Sequence, residues 1–107
     1  MKQLTAAEDL DALIQATPLL LLQFGSHSCA PCTAIQMKLD AWNETHPDVL
    51  CRYVSIEEHP RSAAALGVFS VPTLVVYAEG KLSLRESGYF GLEDFLARLE
   101  RLETLMA

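Results

Sequence analysis

Basic residues are scarce in this chain. Eight Lys and Arg stand against fourteen Asp and Glu among 107 residues, for a formal net charge of -6. The eight are scattered, so no basic patch offers itself to a phosphate backbone. That argues against a nucleic-acid binder and, more weakly, against an anionic membrane surface. Long apolar runs are missing as well: stretches such as Leu19–Leu22 fall far short of the ~20 residues that span a bilayer. Cysteine is sparse and odd in number, and Cys29, Cys32 and Cys51 do not make a secreted disulfide framework. The opening Met1-Lys2-Gln3-Leu4-Thr5 runs into Ala6-Ala7-Glu8-Asp9, polar and acidic where an export signal would be apolar. The expectation is a protein of a reducing, cytoplasmic compartment. No linker, repeat or low-complexity tract interrupts the chain, and its length fits one domain over residues 1–107. What remains is ordinary globular composition, 50% hydrophobic and 21% charged, enough for a single core.

Hydrophobic patterning orders the chain. Thr5-Ala6-Ala7-Glu8 reads as a capping box opening a helix, with Leu10, Leu13 and Ile14 at helical spacing and Pro18 closing it. Lys2–Leu4 is a candidate short strand. Leu19–Phe24 is short and almost wholly apolar, the mark of a strand buried on both faces. A second helix opens near Cys29, with Pro31 tolerated in its first turn. Ile35, Leu39 and Trp42 form its apolar stripe, Ala34, Met37 and Ala41 widen it, and Pro47 ends it. Val49–Ile56 reads as a strand, followed by a short helix through Ala63–Leu66 with Gly67 as left-handed cap. Thr73–Tyr77 is β-branched and aromatic, a clear strand. Glu79-Gly80 turns it into a hairpin partner through Leu82–Arg85. A last helix follows Gly91, its start favoured by Glu93 and Asp94 and its end by Arg98 and Arg101. Alternation of strands and helices predicts an α/β domain, three layers of α/β/α around a central mixed sheet of four to five strands.

Cys29-Ala30-Pro31-Cys32 carries the chemistry. Two thiols separated by two residues at a helix start can close a small disulfide ring. Cys29 would sit where unpaired backbone N–H groups and the positive end of the helix dipole converge, both of which favour thiolate over thiol. Cys32, one turn in, would be more shielded and act second. A structural zinc site would need a second CxxC or a paired His motif. Cys51 is isolated and His27, His46 and His59 lack ligand spacing, so neither metal nor cofactor is expected. Two inert buried cysteines fit poorly with the polar approach of Ser26, His27 and Ser28.

The chain resembles the thioredoxin family over nearly its whole length. The resemblance rests on the apolar strand Leu19–Phe24, on Cys29-Ala30-Pro31-Cys32, on Phe69-Ser70-Val71-Pro72-Thr73 at a strand mouth, and on Glu79-Gly80 and Gly88 near the final hairpin. It implies a cis peptide before Pro72, with that proline lying against the cysteines and the Val71 backbone free to pair with an extended substrate. It also implies thiol-disulfide exchange, chiefly the reduction of protein disulfides: Cys29 attacks, a mixed disulfide forms, and Cys32 resolves it. Ala30, Pro31, Val71, Pro72 and Gly88 would then shape the substrate groove. A flavin-dependent NADPH reductase would restore the dithiol.

Several positions depart from the family pattern. Ser28 replaces an aromatic, Ala30 a glycine, Met37 a helix-kinking proline, and Gln23 a buried acid six residues before Cys29. An amide cannot accept the resolving thiol's proton, so resolution should be slower than in the family at large. His27 stands two residues before Cys29 as a candidate thiolate partner, with an exposed loop histidine as the simpler reading. Cys51 and Trp42 read as core, and Glu57-Glu58 as a solvated turn. Gly88–Asp94 is loosely similar to the glutathione-binding loop of glutaredoxins and fits a capped helix start equally well. Two other functions stay open at this point: an oxidant or isomerase on the same cysteines, and a binding module in which the thiols are incidental.

Overall fold

The computed structural model describes residues 1–107. Five strands and four helices alternate: β1 (Lys2–Gln3), α1 (Leu10–Ala16), β2 (Leu19–Gly25), α2 (Ala30–Glu44), β3 (Leu50–Ser55), α3 (Pro60–Ala65), β4 (Thr73–Ala78), β5 (Lys81–Ser87) and α4 (Leu92–Met106). The strands form one sheet in the order β1-β3-β2-β4-β5. β1, β3 and β2 are parallel. β4 joins β2 antiparallel, where the alternation of strands and helices suggests another parallel neighbour, and β5 pairs antiparallel with β4, as the hairpin signal implies.

Strand alternation divides the core in two. Leu20, Leu22 and Phe24 of β2 face one way, with Val54, Val75 and Tyr77, and pack on Leu10 and Ile14 of α1 and Ala63 of α3. Leu19 and Leu21 face the other way, with Cys51, Leu74 and Val76, and pack on Leu39 of α2 and Phe95 and Leu99 of α4. The result is the three-layer α/β/α arrangement with a mixed sheet. Every residue of β2 is buried, which is why an all-leucine run serves as a strand: burial of each such side chain stabilises by roughly 1.5–3 kcal/mol, more than its mediocre strand propensity costs.

Turn chemistry does what the sequence implies. Glu79 (φ 51°) and Gly80 (φ 79°) are both left-handed, the pattern of a tight hairpin turn that follows the strand twist. Gly67 (φ 71°) closes α3. Its N–H reaches the Ala64 carbonyl at 3.0 Å and that of Val68 reaches Ala63 at 2.8 Å, the paired bonds of a Schellman cap. Arg85 of β5 then donates to the carbonyls of Leu66 and Gly67, tying that helix end to the sheet edge.

Three helix boundaries and one helix face differ from expectation. α1 starts at Leu10, capped by the Asp9 side chain on the Ala12 N–H (3.3 Å). Thr5–Glu8 forms a separate turn in which Glu8 still reaches back to the Thr5 N–H (2.9 Å), so half of the capping box is made without a helix behind it. α2 ends at Glu44 with Thr45 as its cap, and Asn43 donates to the carbonyls of His46 and Val49 (2.9 Å each); Pro47 lies beyond an end already made. Ala34, Met37 and Ala41 are exposed, not part of the buried stripe. Finally, α4 runs to Met106, which leaves Arg98 and Arg101 in its middle. There Arg98 pairs with Glu86 at 2.9 Å instead of serving the helix end.

Candidate active site

The site lies where β2 ends and α2 begins. β2 is central and its two neighbours run in opposite directions, so the chain leaving it enters a crevice at the sheet's switch point. Cys29 is the N-cap of α2 and makes no side-chain cap bond. Its place there leaves the first-turn N–H groups of α2 directed toward its sulfur's surroundings. Pro31 stands in that first turn, where the missing donor costs nothing.

Cys29 and Cys32 form a disulfide, with Cα atoms 5.3 Å apart. Their exposures differ: Cys29 is half-buried, while Cys32 is 1% exposed. The Val71–Pro72 peptide is cis, in agreement with the resemblance. Pro31, Ile35, Val71, Pro72, Gly88, Tyr89, Phe90 and Leu92 line a cleft of about 340 Å³ beside the disulfide helix. Four of the five expected groove residues therefore meet in one place, and Ala30 stands outside that lining. No charged side chain contributes to it. Tyr89 is fully exposed at its rim, a large apolar group presented to solvent next to an apolar cleft.

Hydrogen bonds hold the cleft open. The Gly88 N–H donates to the Pro72 carbonyl at 2.9 Å, and Gly88 has φ 72°, which a glycine adopts without strain. Thr73, fully buried, donates its hydroxyl to the Ser70 carbonyl (2.8 Å) and lies 2.8 Å from the Ser87 hydroxyl. It thus clamps the loop before β4 to the end of β5. Gly91 is the N-cap of α4, so Gly88–Asp94 is the helix entry that its residues also implied.

Beneath Cys32 lies a polar layer. Gln23 is fully buried, and its Nε2 donates to the Cys32 carbonyl at 2.8 Å, while its Oε1 has no partner. Gln23 is in register with Tyr53 across the β2–β3 ladder. Tyr53 is 9% exposed, and burial, then the charge of Glu57, pushes its phenol above the ordinary range. A Cβ placed on Gly25 would overlap the Tyr53 hydroxyl and come within 3.1 Å of Cys32 Sγ. Gly25, Tyr53 and Cys32 thus converge on one point. Sequence reading missed Gly25, Tyr53 and Thr73. The signal for two of them was there: residues two apart share a strand face, so Gly25 follows Gln23 and Tyr53 follows Cys51 onto the side that carries α2.

The exposed His27 ring faces the Glu57 carboxylate at 3.7 Å, and the same carboxylate accepts from the His27 N–H at 3.0 Å. Glu57 is therefore a tie between loops rather than merely a solvated turn residue. Cys51 is 6% exposed in the core, and burial, then Asp40, pushes its thiol up to about 12. Trp42 packs against the α2/α4 core, stacks on His46 with ring centroids 4.0 Å apart, and donates to Glu100 at 2.8 Å.

A half-buried and a buried cysteine, joined at a helix start beside an apolar cleft, define a thiol-disulfide exchange protein. The comparisons agree with that class. The family model described as Thioredoxin matches residues 1–101. A thioredoxin of Chlamydia caviae is 35% identical over 81 residues, covering 76% of this chain and 78% of that protein. One of Alicyclobacillus acidocaldarius is 29% identical over 87 residues, covering 80% and 83%. The solved thioredoxin of Fasciola hepatica matches the fold with a TM-score of 0.83 at 29% identity, covering 94% and 98% of the two chains. The chain belongs to the thioredoxin family. It is a thiol-disulfide oxidoreductase, with disulfide-containing substrates and a reductase partner in the general sense the family implies. No helix is long and apolar enough to cross a membrane.

Proposed function

We propose that the protein reduces protein disulfides, with Cys29 as nucleophile and Cys32 as resolving thiol. The observation that carries this is the asymmetry of the pair, Cys29 half-buried at the rim and Cys32 1% exposed beneath it. Only the outer sulfur is open to in-line attack on a bulky disulfide. The inner one is held for the intramolecular step. Pro31, Val71, Pro72 and Gly88 seat an extended, uncharged stretch of substrate in the cleft, and Ala30 borders it from the first turn of α2. A flavin-dependent NADPH reductase returns the pair to the dithiol. The protein works as one domain over residues 1–107 in the reducing cytoplasm, a reading supported by one sheet with a core on each face and by the free Cys51.

An equilibrium redox titration against dithiothreitol, with acid trapping and intact mass, tests the direction. A single two-electron couple at a reducing potential supports the reductase. An oxidising couple replaces it with an oxidant or isomerase, and absence of any couple with a binding module. Cys32→Ser should accumulate mixed disulfides through Cys29, and Cys29→Ser should form none. Failure of NADPH oxidation in the presence of a flavin-dependent thioredoxin reductase would remove that partner.

A further inference from the structure

Resolution requires a buried thiol to become a thiolate. In a nonpolar setting that ionisation is disfavoured unless a donor meets the charge. The group expected to assist in this family, an acid at position 23, is an amide here, and its Nε2 is committed to the Cys32 carbonyl. Another polar hydrogen stands near the Cys32 sulfur. Tyr53 Oη and Cys32 Sγ both lie within 3.1 Å of one point, the position that a Cβ on Gly25 would occupy. Any side chain at 25 would fill that point. Glycine leaves it to the phenol.

We propose that the Tyr53 hydroxyl donates a hydrogen bond to the Cys32 thiolate and so speeds resolution of the mixed disulfide, with Gly25 providing the space for it. This rests on Cys32 being the resolving thiol. Three observations converge. Tyr53 pairs in register with Gln23 on the strand face beneath α2. None of the hydrogen bonds of the oxidised protein uses its hydroxyl, and burial raises the phenol above the ordinary range, so around neutral pH it carries its proton and can donate it. The charged and titratable surroundings are few. Cys29 lies one turn away on α2, Glu57 follows β3 and acts on Tyr53, and His27, in the loop before α2, faces Glu57. Gln23 from β2 and its β4 neighbour Leu74 carry no charge.

The step balances without a further reagent. Cys32–SH gives its proton to water. The thiolate, held by the Tyr53 O–H, attacks Cys29 Sγ of the mixed disulfide. The Cys29–Cys32 bond forms, the Cys29–substrate bond breaks, and the electron pair leaves on the substrate sulfur, which takes up a proton. Tyr53 keeps its own proton throughout.

The reduced protein mixed with Ellman's reagent reports both steps. The first thionitrobenzoate release is attack by Cys29 and the second is resolution by Cys32, while Cys51 is buried. For Tyr53→Phe the expectation is a second phase about tenfold slower below its pH midpoint, that midpoint raised by about one unit, and an unchanged first phase; hydrogen bonds to charged groups are of this order. A second phase that overlays wild type at every pH overturns the proposal. So does one slowed equally on both sides of the midpoint, which is what simple misplacement of Cys32 would give. If Tyr53→Phe fails to fold, 3-fluorotyrosine at position 53 replaces it: the stronger donor should lower the midpoint, and no movement overturns the idea. Loss of the second phase in wild type itself would instead strike at the role of Cys32.

Discussion

Gly25→Ala isolates the crowding beneath the disulfide. Gly25 lies in β2 with no left-handed backbone, so alanine brings no conformational strain, and at an open site it would stabilise by about 0.4–1 kcal/mol through the unfolded chain. Here the added Cβ overlaps the Tyr53 hydroxyl, stands 2.5 Å from its Cζ and 3.1 Å from Cys32 Sγ. The phenol cannot swing freely, because Tyr53 is only 9% exposed. Overpacking of this kind costs roughly 1–3 kcal/mol. Set against the entropic gain, a net loss of about 1–2 kcal/mol is expected. At roughly 4–8 °C per kcal/mol, that is a Tm about 10 °C lower. In a Tyr53→Leu background the side chain ends short of the crowded point, and the same substitution should become neutral or stabilising by a few tenths of a kcal/mol. The sign change is the measurement: urea melts of the four oxidised proteins give a coupling of about 2 kcal/mol. An equal penalty in both backgrounds would refute the reasoning, since the cost would then not come from Tyr53.

Cys51 makes stability depend on alkaline pH. Its folded thiol is raised from 9.0 to about 12, so its contribution is complete below pH 9 and is lost as pH climbs from there toward 12, where the unfolded chain releases the proton and the folded chain holds it. Denaturant melts of Cys51→Val should show a shallower alkaline decline, with a remainder from the buried phenols of Tyr53 and Tyr77, both raised by burial; identical slopes would be the contrary result. Thr73→Val removes the bonds to Ser70 and Ser87 and should cost about 1–2 kcal/mol. It should also raise KM for a protein disulfide while leaving attack on Ellman's reagent alone, and a parallel loss on both substrates would count against a cleft-shaping role. Gln23→Asp should speed the second thionitrobenzoate phase while lowering the melting temperature, because it forfeits the bond to the Cys32 carbonyl and buries a carboxyl; a resolution rate that stays level or drops sinks that view.

Local patterns were legible where one residue type decides a conformation. Glu79-Gly80, Gly67 and the β-branched run of β4 are of this kind, since left-handed backbone and strand packing each select few residues. The succession of elements along the chain followed from hydrophobic patterning, and the paired cysteines from spacing, whereas the order of strands within the sheet did not. Helix boundaries were less legible. Thr5 and Glu8 carry the signature of a cap, yet the turn they form stops short of the helix because Asp9 caps it better placed, one residue before Leu10. Pro47 looks like a terminator, but Thr45 and Asn43 end α2 through hydrogen bonds that no periodicity reveals. At the site, Cys29, Cys32 and Pro72 stand out in the sequence by type. Gly25, Tyr53 and Thr73 do not, because their meaning depends on what lies across the sheet from them.

The two faces of the sheet divide the work. The α1/α3 face is lined by Leu20, Leu22, Phe24, Val54 and Val75 with no charge among them, so it can be packed for stability alone. The α2/α4 face is equally apolar through Leu19, Leu21, Cys51 and Val76, but toward the end of β2 it changes to Gln23 and Gly25, with Tyr53 opposite. A buried carboxylate at position 23 would have required a charged partner or several kcal/mol of desolvation. An amide avoids that cost and pins the Cys32 main chain, but it takes no proton. A neutral phenol fits beside it only if residue 25 has no side chain. Gln23, Gly25 and Tyr53 are therefore best read as one linked set: exchanging any one alone should disturb the other two more than it disturbs the cleft.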